Sequence, residues 1–133
     1  MQTSTVFLVD DDPLYQYMIR RYVQEYALAS NFVTFNNGLL AIEKLKELAA
    51  ADSPMPDVIL LDINMPVLDG WGFLTVYQTD EKLKDKKIPI YLVTSSVDER
   101  DVEKAKCYNM VLDYCVKPLS AQQLQTLLSK NIA

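Results

Sequence analysis

The feature that most constrains the fold is the apolar run Val58–Leu61, which stops abruptly on Asp62. A short, continuous apolar run predicts a strand covered on both faces, as in parallel sheets flanked by helices. Asn64, Pro66 and the Leu-Asp-Gly segment 68–70 follow closely and predict a turn. An acid at the carboxyl end of a buried strand lies where open α/β sheets bind ligands, but it can equally cap the next turn.

Four further apolar runs predict strands at Thr5–Val9, 32–35, 88–93 and 112–116. Apolar periodicity predicts a helix over 13–26 that starts after Asp12 and carries Tyr15 and Tyr26 on its core face. Further helices are predicted over 39–51, 71–80 and 98–108, and Ser120 with Gln123 is expected to form the capping box of a last one. The charged segment 82–87 is expected to be a solvated connection. Because five strands alternate with five helices, we expect an α/β domain with a parallel sheet and right-handed crossovers.

Composition excludes several classes of function. With 133 residues the chain fits one domain, and no apolar run approaches the ~20 residues that cross a bilayer. A net charge of −5 disfavours binding to nucleic acid or to anionic membranes. Residues 1–5 show no basic secretion signal, so we expect a cytoplasmic protein whose Cys107 and Cys115 are reduced packing residues. The absence of histidine excludes catalysis by an imidazole of this chain.

Polar residues collect at the carboxyl ends of the predicted strands: Asp10, Asp11, Asp62, Thr94 and Lys117. The carboxyl ends of parallel strands share one edge of the sheet, so these side chains should converge. Three carboxylates need a counter-ion, and oxygen ligands of this kind suit Mg²⁺. A metal, a lysine and a hydroxyl around one carboxylate suit phosphoryl transfer, with an aspartate as the nucleophile that forms an acyl phosphate.

The chain resembles the receiver domains of two-component response regulators, the CheY-like fold, in five segments that span it in order. These are FLVDDDP (7–13), LLDINMP (60–66), LDG (68–70), IPIYLVTS (88–95) and YCVKP (114–118). The resemblance implies a doubly wound, flavodoxin-like (βα)5 sheet with strand order 2-1-3-4-5. It also implies that residues 1–133 form one receiver without an output domain.

The resemblance further implies roles for individual residues. Asp62 would be the phosphoacceptor and a metal ligand, Asp11 would bind Mg²⁺ directly, Asp10 would bind it mainly through water, and the Asn64 backbone carbonyl would add a ligand. Lys117 would contact the phosphoryl group and precede a cis bond to Pro118.

The same resemblance implies a switch. Thr94 would turn toward a phosphoryl oxygen while Tyr114 rotates inward behind it. This coupled movement would change the surface formed by the fourth helix, the fifth strand and the fifth helix, and with it the affinity for a partner.

The function expected from these patterns is a stand-alone phosphorylatable switch, a signalling protein rather than a metabolic enzyme. Since the chain has no histidine, a histidine kinase or histidine phosphotransfer protein must supply the phosphohistidine, and an unknown protein would receive the signal or the phosphate.

Three alternatives stay open. A small-molecule phosphohydrolase with an aspartate nucleophile usually has a second acid two residues later, where this chain has Asn64. A flavodoxin-like cofactor binder would have a first loop rich in glycine and hydroxyls, where this chain has acids. A receiver-like docking module without phosphorylation would not need all five site positions.

Overall fold

The computed structural model describes residues 4–132 as five strands and five helices in strict alternation. The strands are β1 (Thr5–Val9), β2 (Asn31–Phe35), β3 (Val58–Leu61), β4 (Ile90–Thr94) and β5 (Val111–Val116). The helices are α1 (Pro13–Glu25), α2 (Gly38–Ala50), α3 (Gly70–Thr79), α4 (Glu99–Ala105) and α5 (Ala121–Ser129). All neighbouring strands pair in parallel in the order β2-β1-β3-β4-β5, which confirms the predicted fold class.

The interior strands β1 and β3 send alternate side chains into two separate apolar layers. Phe7 and Ile59 pack into the layer that contains α2 and α3, whereas Val6 and Leu60 pack into the layer that contains α1 and α5. All four are at most 2% exposed, and burying a side chain of this size contributes about 1.5–3 kcal/mol. Burial on both faces therefore explains why the β3 sequence is continuously apolar.

Two helix starts follow the sequence signals. The Asp12 side chain accepts a hydrogen bond from the Leu14 backbone N–H at 3.0 Å, and Pro13 occupies the first helical position of α1. Ser120 and Gln123 form the predicted reciprocal capping box of α5. A cap of this kind stabilises a helix by about 1 kcal/mol. Asp12 is thus a helix cap, as the sequence predicts.

Two element boundaries differ from the prediction by two residues or more. The fourth strand is predicted over 88–93, but it begins at Ile90 because Pro89 has no N–H to donate to the ladder. The fourth helix is predicted over 98–108, but it ends at Ala105. The chain continues in a tighter turn, in which the Tyr108 N–H donates to the Ala105 carbonyl at 3.1 Å.

Exposure differs from the prediction at three positions. Leu83 lies in the segment expected to be solvated but is fully buried, so it anchors that segment to the α2–α3 layer. Tyr26 was placed on the core face by periodicity, yet it is 50% exposed because α1 ends at Glu25. Cys107 is exposed and Cys115 is partly buried, so only the latter packs as expected.

Residues 1–3 and residue 133 lie outside the described residues. The expectation of no secretion signal therefore rests partly on residues that the structure does not describe, as do the outermost ends of the predicted domain 1–133. Between residues 4 and 132, no helix is both long and apolar enough to pass through a bilayer.

Candidate functional site

The carboxyl edge of the sheet carries the candidate site, and backbone hydrogen bonds fix each strand end there. The Asp10 N–H donates to the Phe35 carbonyl and the Asp62 N–H to the Val9 carbonyl, both at 2.9 Å. The Lys117 N–H donates to the carbonyl of Thr94, the last residue of β4, at 2.8 Å. The strand ladders thus continue one residue beyond the strands and set the starting point of each functional side chain.

Three acids cluster at this edge. Each of Asp10, Asp11 and Asp62 offers one carboxylate oxygen, and these oxygens lie within 4.8 Å of one another. Asp10 is fully buried and Asp62 is 8% exposed, whereas Asp11 is open to solvent. The cluster thus has two carboxylates shielded from water and one that faces solvent. Such a cluster attracts a cation and leaves its exposed side open to a ligand.

Lys117 lies between two of these acids. Its ammonium nitrogen is 2.6 Å from an Asp10 oxygen and 3.2 Å from an Asp62 oxygen, and it lies 4.3 Å from the ring centroid of Tyr15. Burial alone would lower the pKa of Lys117, but the hydrogen bond and charge of Asp10 and the charge of Asp62 outweigh it and raise that pKa. Lys117 is therefore a fixed positive charge at neutral pH.

Asp10 is the most constrained acid of the cluster. Burial raises its pKa, and the hydrogen bonds from Lys117 and from the Asp12 backbone N–H (2.9 Å) oppose that shift without cancelling it. The Gln16 side chain donates to the Asp10 backbone carbonyl at 2.5 Å and to the Asn36 side chain at 2.9 Å. Its amide thereby ties the β1–α1 loop to the β2–α2 loop.

Close packing behind Asp62 depends on Gly70, the first residue of α3. A Cβ at position 70 would lie 2.4 Å from the Asp62 backbone carbonyl oxygen, which is closer than real Cβ atoms come. The Gly70 N–H donates to the Ile63 carbonyl at 2.8 Å, and the Ile63 N–H donates to an Asp62 carboxylate oxygen at 2.7 Å. The start of α3 thus presses directly on the backbone that carries Asp62.

The loop between β3 and α3 contains a strained turn. The Leu68 N–H donates to the Pro66 carbonyl at 2.8 Å around Val67, whose φ is 69°. A β-branched side chain rarely adopts this left-handed region. The Leu68 carbonyl in turn accepts a hydrogen bond from the Gly38 N–H at 2.8 Å, so the turn is held against the start of α2.

Thr94 and Tyr114 both connect to the loop after β4. Thr94 is fully buried, and its hydroxyl accepts a hydrogen bond from the Ser96 N–H at 3.3 Å. The Tyr114 hydroxyl donates to the Ser96 carbonyl at 2.8 Å, and partial burial raises the pKa of that hydroxyl. The Ser96 hydroxyl donates to Asp101 of α4 at 2.6 Å. One residue, Ser96, therefore joins both predicted switch side chains to α4.

The structure brings together most of the residues singled out from the sequence. Asp10, Asp11, Asp62 and Lys117 form one cluster, and Thr94 is joined to Lys117 through the backbone. Asn64 lies exposed in the loop after β3.

Sequence reasoning missed the contacts of four residues around the site. Tyr15 was predicted to be core packing, yet its ring also faces the Lys117 ammonium. The contacts of Gln16, Val67 and Ser96 left no periodic or compositional signal, because they depend on loops that meet only in the folded chain.

The sequence-family model of the response regulator receiver domain matches residues 6–129 of the chain. The chain belongs to this family. The acidic cluster, the bridging lysine and the buried threonine therefore lie at the carboxyl edge of the sheet of a receiver domain. The bond between Lys117 and Pro118 is cis, as the resemblance implied.

One curated relative, an uncharacterized response regulatory protein of Vibrio cholerae, is 30% identical over 99% of this receiver. The receiver covers 49% of that relative, and it spans about half the length of several curated relatives.

Solved structures share the whole fold. A two-component response regulator from Cytophaga hutchinsonii has a TM-score of 0.82 and 30% identity, with 99% of this chain and 98% of that one covered. A phosphorylated cyanobacterial phytochrome response regulator has a TM-score of 0.78 and 27% identity, with coverage of 97% and 91%. The receiver domain of a Pseudomonas aeruginosa sensor histidine kinase, with magnesium coordinated in its active-site cleft, has a TM-score of 0.75 and 26% identity, with 98% of each chain covered.

Proposed function

We propose that Asp62 of this receiver accepts a phosphoryl group from a phosphohistidine, with Mg²⁺ held beside it. In the transfer, the P–N bond breaks while an O–P bond forms to an Asp62 carboxylate oxygen, and the electron pair of the P–N bond stays on the imidazole. In the later hydrolysis, water attacks phosphorus, inorganic phosphate leaves and the carboxylate is restored. The observation that carries the proposal is the convergence of three acids and one lysine, from the ends of three strands, at one edge of the sheet.

The position of Asp62 supports its role as the nucleophile. Asp62 is only 8% exposed, so its carboxylate can be approached while most of the surrounding water is excluded. The Ile63 N–H holds one oxygen at 2.7 Å, and Lys117 holds the other at 3.2 Å. A carboxylate oriented at both oxygens meets the positioning requirement that dominates phosphoryl transfer.

The acids fit a hard divalent cation. Asp10, Asp11 and Asp62 supply oxygens close enough to share one ion, and no hydrogen bond to the Asn64 carbonyl is found within residues 4–132, so that oxygen is free to act as a ligand. When bound, Mg²⁺ would neutralise charge on the phosphoryl oxygens. The solved receiver with magnesium in its active-site cleft supports a metal at this site by similarity.

Lys117 and Thr94 supply the groups that the transferred phosphoryl group needs. The Lys117 ammonium already contacts the acceptor carboxylate and would move with little rearrangement to a phosphoryl oxygen. The Thr94 hydroxyl is a donor held at the end of the adjacent strand. Both charge neutralisation and hydrogen bonding to the oxygens would lower the barrier to transfer.

The switch is proposed to run from Thr94 to Tyr114. A Thr94 hydroxyl that turns to the phosphoryl group would give up the hydrogen bond from Ser96. Ser96 also forms hydrogen bonds with Tyr114 and Asp101, so its movement would change the contacts of β5 and α4 together. Partners that prefer the phosphorylated surface would then bind more tightly.

We further propose that this receiver acts in the cytoplasm. Its phosphodonor would be a histidine kinase or a histidine phosphotransfer protein, and it would bind a partner or pass the phosphate on. It would act as a signalling protein that takes part in its own phosphorylation and dephosphorylation, not as a metabolic enzyme. Neither the phosphohydrolase, the cofactor binder nor the docking module is favoured by any feature of the site.

The experiment uses phosphoramidate, whose P–N bond matches that of phosphohistidine. Wild type incubated with phosphoramidate and Mg²⁺ should gain one phosphoryl group by intact mass, and chelation of the metal should prevent it. Asp62→Asn is the matched control and should gain none. Rapid, repeated hydrolysis of p-nitrophenyl phosphate would instead indicate the phosphohydrolase, and no adduct on wild type would refute the proposal.

A further inference from the structure

A cavity lies at the opposite end of the sheet from the acidic site. It has a volume of about 490 Å³ and opens between the segment that precedes β4 and the segment that precedes β5. Ligand sites in proteins commonly have volumes of about 300–1,000 Å³. The cavity is therefore large enough for a small organic molecule, and it shares no residue with the acidic cluster.

Its apolar walls come from Tyr77, Ile88, Met110 and Leu112. Tyr77 and Ile88 are almost fully buried, whereas Leu112 is 55% exposed. A half-exposed leucine next to buried apolar side chains offers surface that an apolar ligand body can cover, at a gain of roughly 25 cal/mol per Å².

The rim of this cavity is basic. Three of its lining residues are lysines, Lys84, Lys86 and Lys87, and none is acidic. Lys84 is paired with Glu81 at 3.1 Å, but within residues 4–132 no ion pair is found for Lys86 or Lys87. This concentration of positive charge stands out in a chain whose net charge is −5.

The lysine segment is fixed in place rather than loosely solvated. The Tyr77 hydroxyl donates to the Lys86 carbonyl at 2.5 Å and accepts a hydrogen bond from the Ile88 N–H at 3.3 Å. Leu83, at the other end of the segment, is fully buried in the core. Anchored on both sides, the segment presents its lysines to the cavity without a large ordering cost on binding.

We propose that this cavity binds a small organic anion with an aromatic or aliphatic body. The body would cover Met110 and Leu112, and its anionic group would lie between Lys86 and Lys87. The basic rim opposes a cationic ligand, and a neutral ligand would leave both lysines unused. The proposal is independent of phosphorylation, so Asp62→Asn should bind the same ligand as wild type.

The probe is 8-anilinonaphthalene-1-sulfonate, which combines an aromatic body with one sulfonate. Its fluorescence should rise on binding to wild type, and Lys86→Gln/Lys87→Gln should bind it about tenfold more weakly. The matched control, Lys44→Gln/Lys82→Gln, removes two lysine charges outside the cavity and should bind it like wild type. Equal binding by both double variants, or no binding to wild type, would overturn the proposal.

A neutral analogue separates charge from apolar contact. N-phenyl-1-naphthylamine lacks the sulfonate, and it should bind wild type about tenfold more weakly than the anion does. The lysine substitutions in the cavity should not change its affinity further. If the neutral compound binds wild type as tightly as the anion, the lysines do not recognise the anionic group and the proposal fails.

Cys107 reports where the probe binds, because it is an exposed thiol on the wall of this cavity. Its alkylation by iodoacetamide, followed by peptide mass spectrometry, should slow about tenfold at about ten times the dissociation constant of the anionic probe, since only the free fraction reacts. Cys115 lies outside the cavity and is the internal control. Fluorescent binding that leaves the Cys107 rate unchanged would place the probe elsewhere and overturn the proposal.

Discussion

The Lys117 ammonium lies 2.6 Å from a carboxylate oxygen of Asp10, although 107 positions separate the two residues in the chain. The contact joins the ends of β1 and β5, between which β3 and β4 lie in the sheet. Their side chains are only 1% (Asp10) and 16% (Lys117) exposed, so each charge depends on the other to remain buried. Removing one partner of such a pair leaves a buried charge without a counter-charge. The resulting loss of folding free energy is larger than the net stabilisation that the intact pair contributes.

Lys117→Met should therefore lower the free energy of unfolding in metal-free buffer by about 3 kcal/mol. Adding Asp10→Asn to that variant should restore a large part of the loss, because the buried charge without a partner is gone. Urea unfolding of the wild type, both single variants and the double variant measures the coupling. An unchanged midpoint in Lys117→Met would show that the pair has no role in stability.

Asp11→Asn tests the metal site without disturbing the core, because Asp11 is exposed. Its stability in metal-free buffer should stay within about 0.5 kcal/mol of wild type. Wild type should gain about 2.7 kcal/mol when Mg²⁺ is present at about 100 times its dissociation constant. The variant should gain far less at the same concentration.

Thermal unfolding with and without Mg²⁺ measures both quantities. Asp85→Asn removes one exposed carboxylate outside the cluster and should respond to Mg²⁺ like wild type. Equal stabilisation of all three proteins would show that the cluster does not bind the metal.

Gly70→Ala should impair both the fold and the site. The new methyl would meet the Asp62 backbone carbonyl at 2.4 Å, and backbone cannot move aside cheaply. We expect a loss of about 1–3 kcal/mol in the free energy of unfolding and much slower phosphorylation.

Gly72→Ala is the matched control in the same helix, because its nearest contacts would be side-chain atoms, of the flexible Leu68 at 2.4 Å and of Asp69 at 3.4 Å, and not backbone. It should phosphorylate at a rate close to wild type. Chemical unfolding and intact-mass time courses on both variants decide the point. Equal effects of the two substitutions would contradict the packing explanation.

Val67→Gly should stabilise the protein by about 1 kcal/mol. Val67 is 76% exposed, so little packing is lost, and glycine adopts its φ of 69° without the strain that a β-branched side chain suffers. Val97 is similarly exposed (74%) but does not have a positive φ. Val97→Gly should therefore destabilise the protein slightly, and a shift of both urea midpoints in the same direction would refute the strain.

The sequence was sufficient to predict the sheet and the convergence of the acids, since both follow from apolar runs that end on polar residues. Asp62 and Lys117 could be placed together because the carboxyl ends of parallel strands share one edge. The predicted start of the fourth strand was wrong because an apolar run does not show where hydrogen bonding begins, and Pro89 cannot donate.

The tertiary contacts of individual side chains could not be predicted from the sequence. Leu83 appeared solvated among charged neighbours, yet one apolar side chain is enough to anchor a segment to the core. Gln16 joins the β1–α1 loop to the β2–α2 loop, and Ser96 joins the β4–α4 loop to β5 and α4. Neither residue type signals such a contact. The strain at Val67 is likewise a property of the closed loop and not of its composition.

The most direct test of the account is to locate the phosphoryl group. Wild type treated with acetyl phosphate and Mg²⁺ is reduced with borohydride, which converts an acyl phosphate of aspartate to homoserine, and its peptides are analysed by mass spectrometry. We predict homoserine at position 62 and none in Asp62→Asn treated in the same way. Homoserine at another acid of wild type, or an undiminished phosphoryl adduct in Asp62→Asn, would contradict the account.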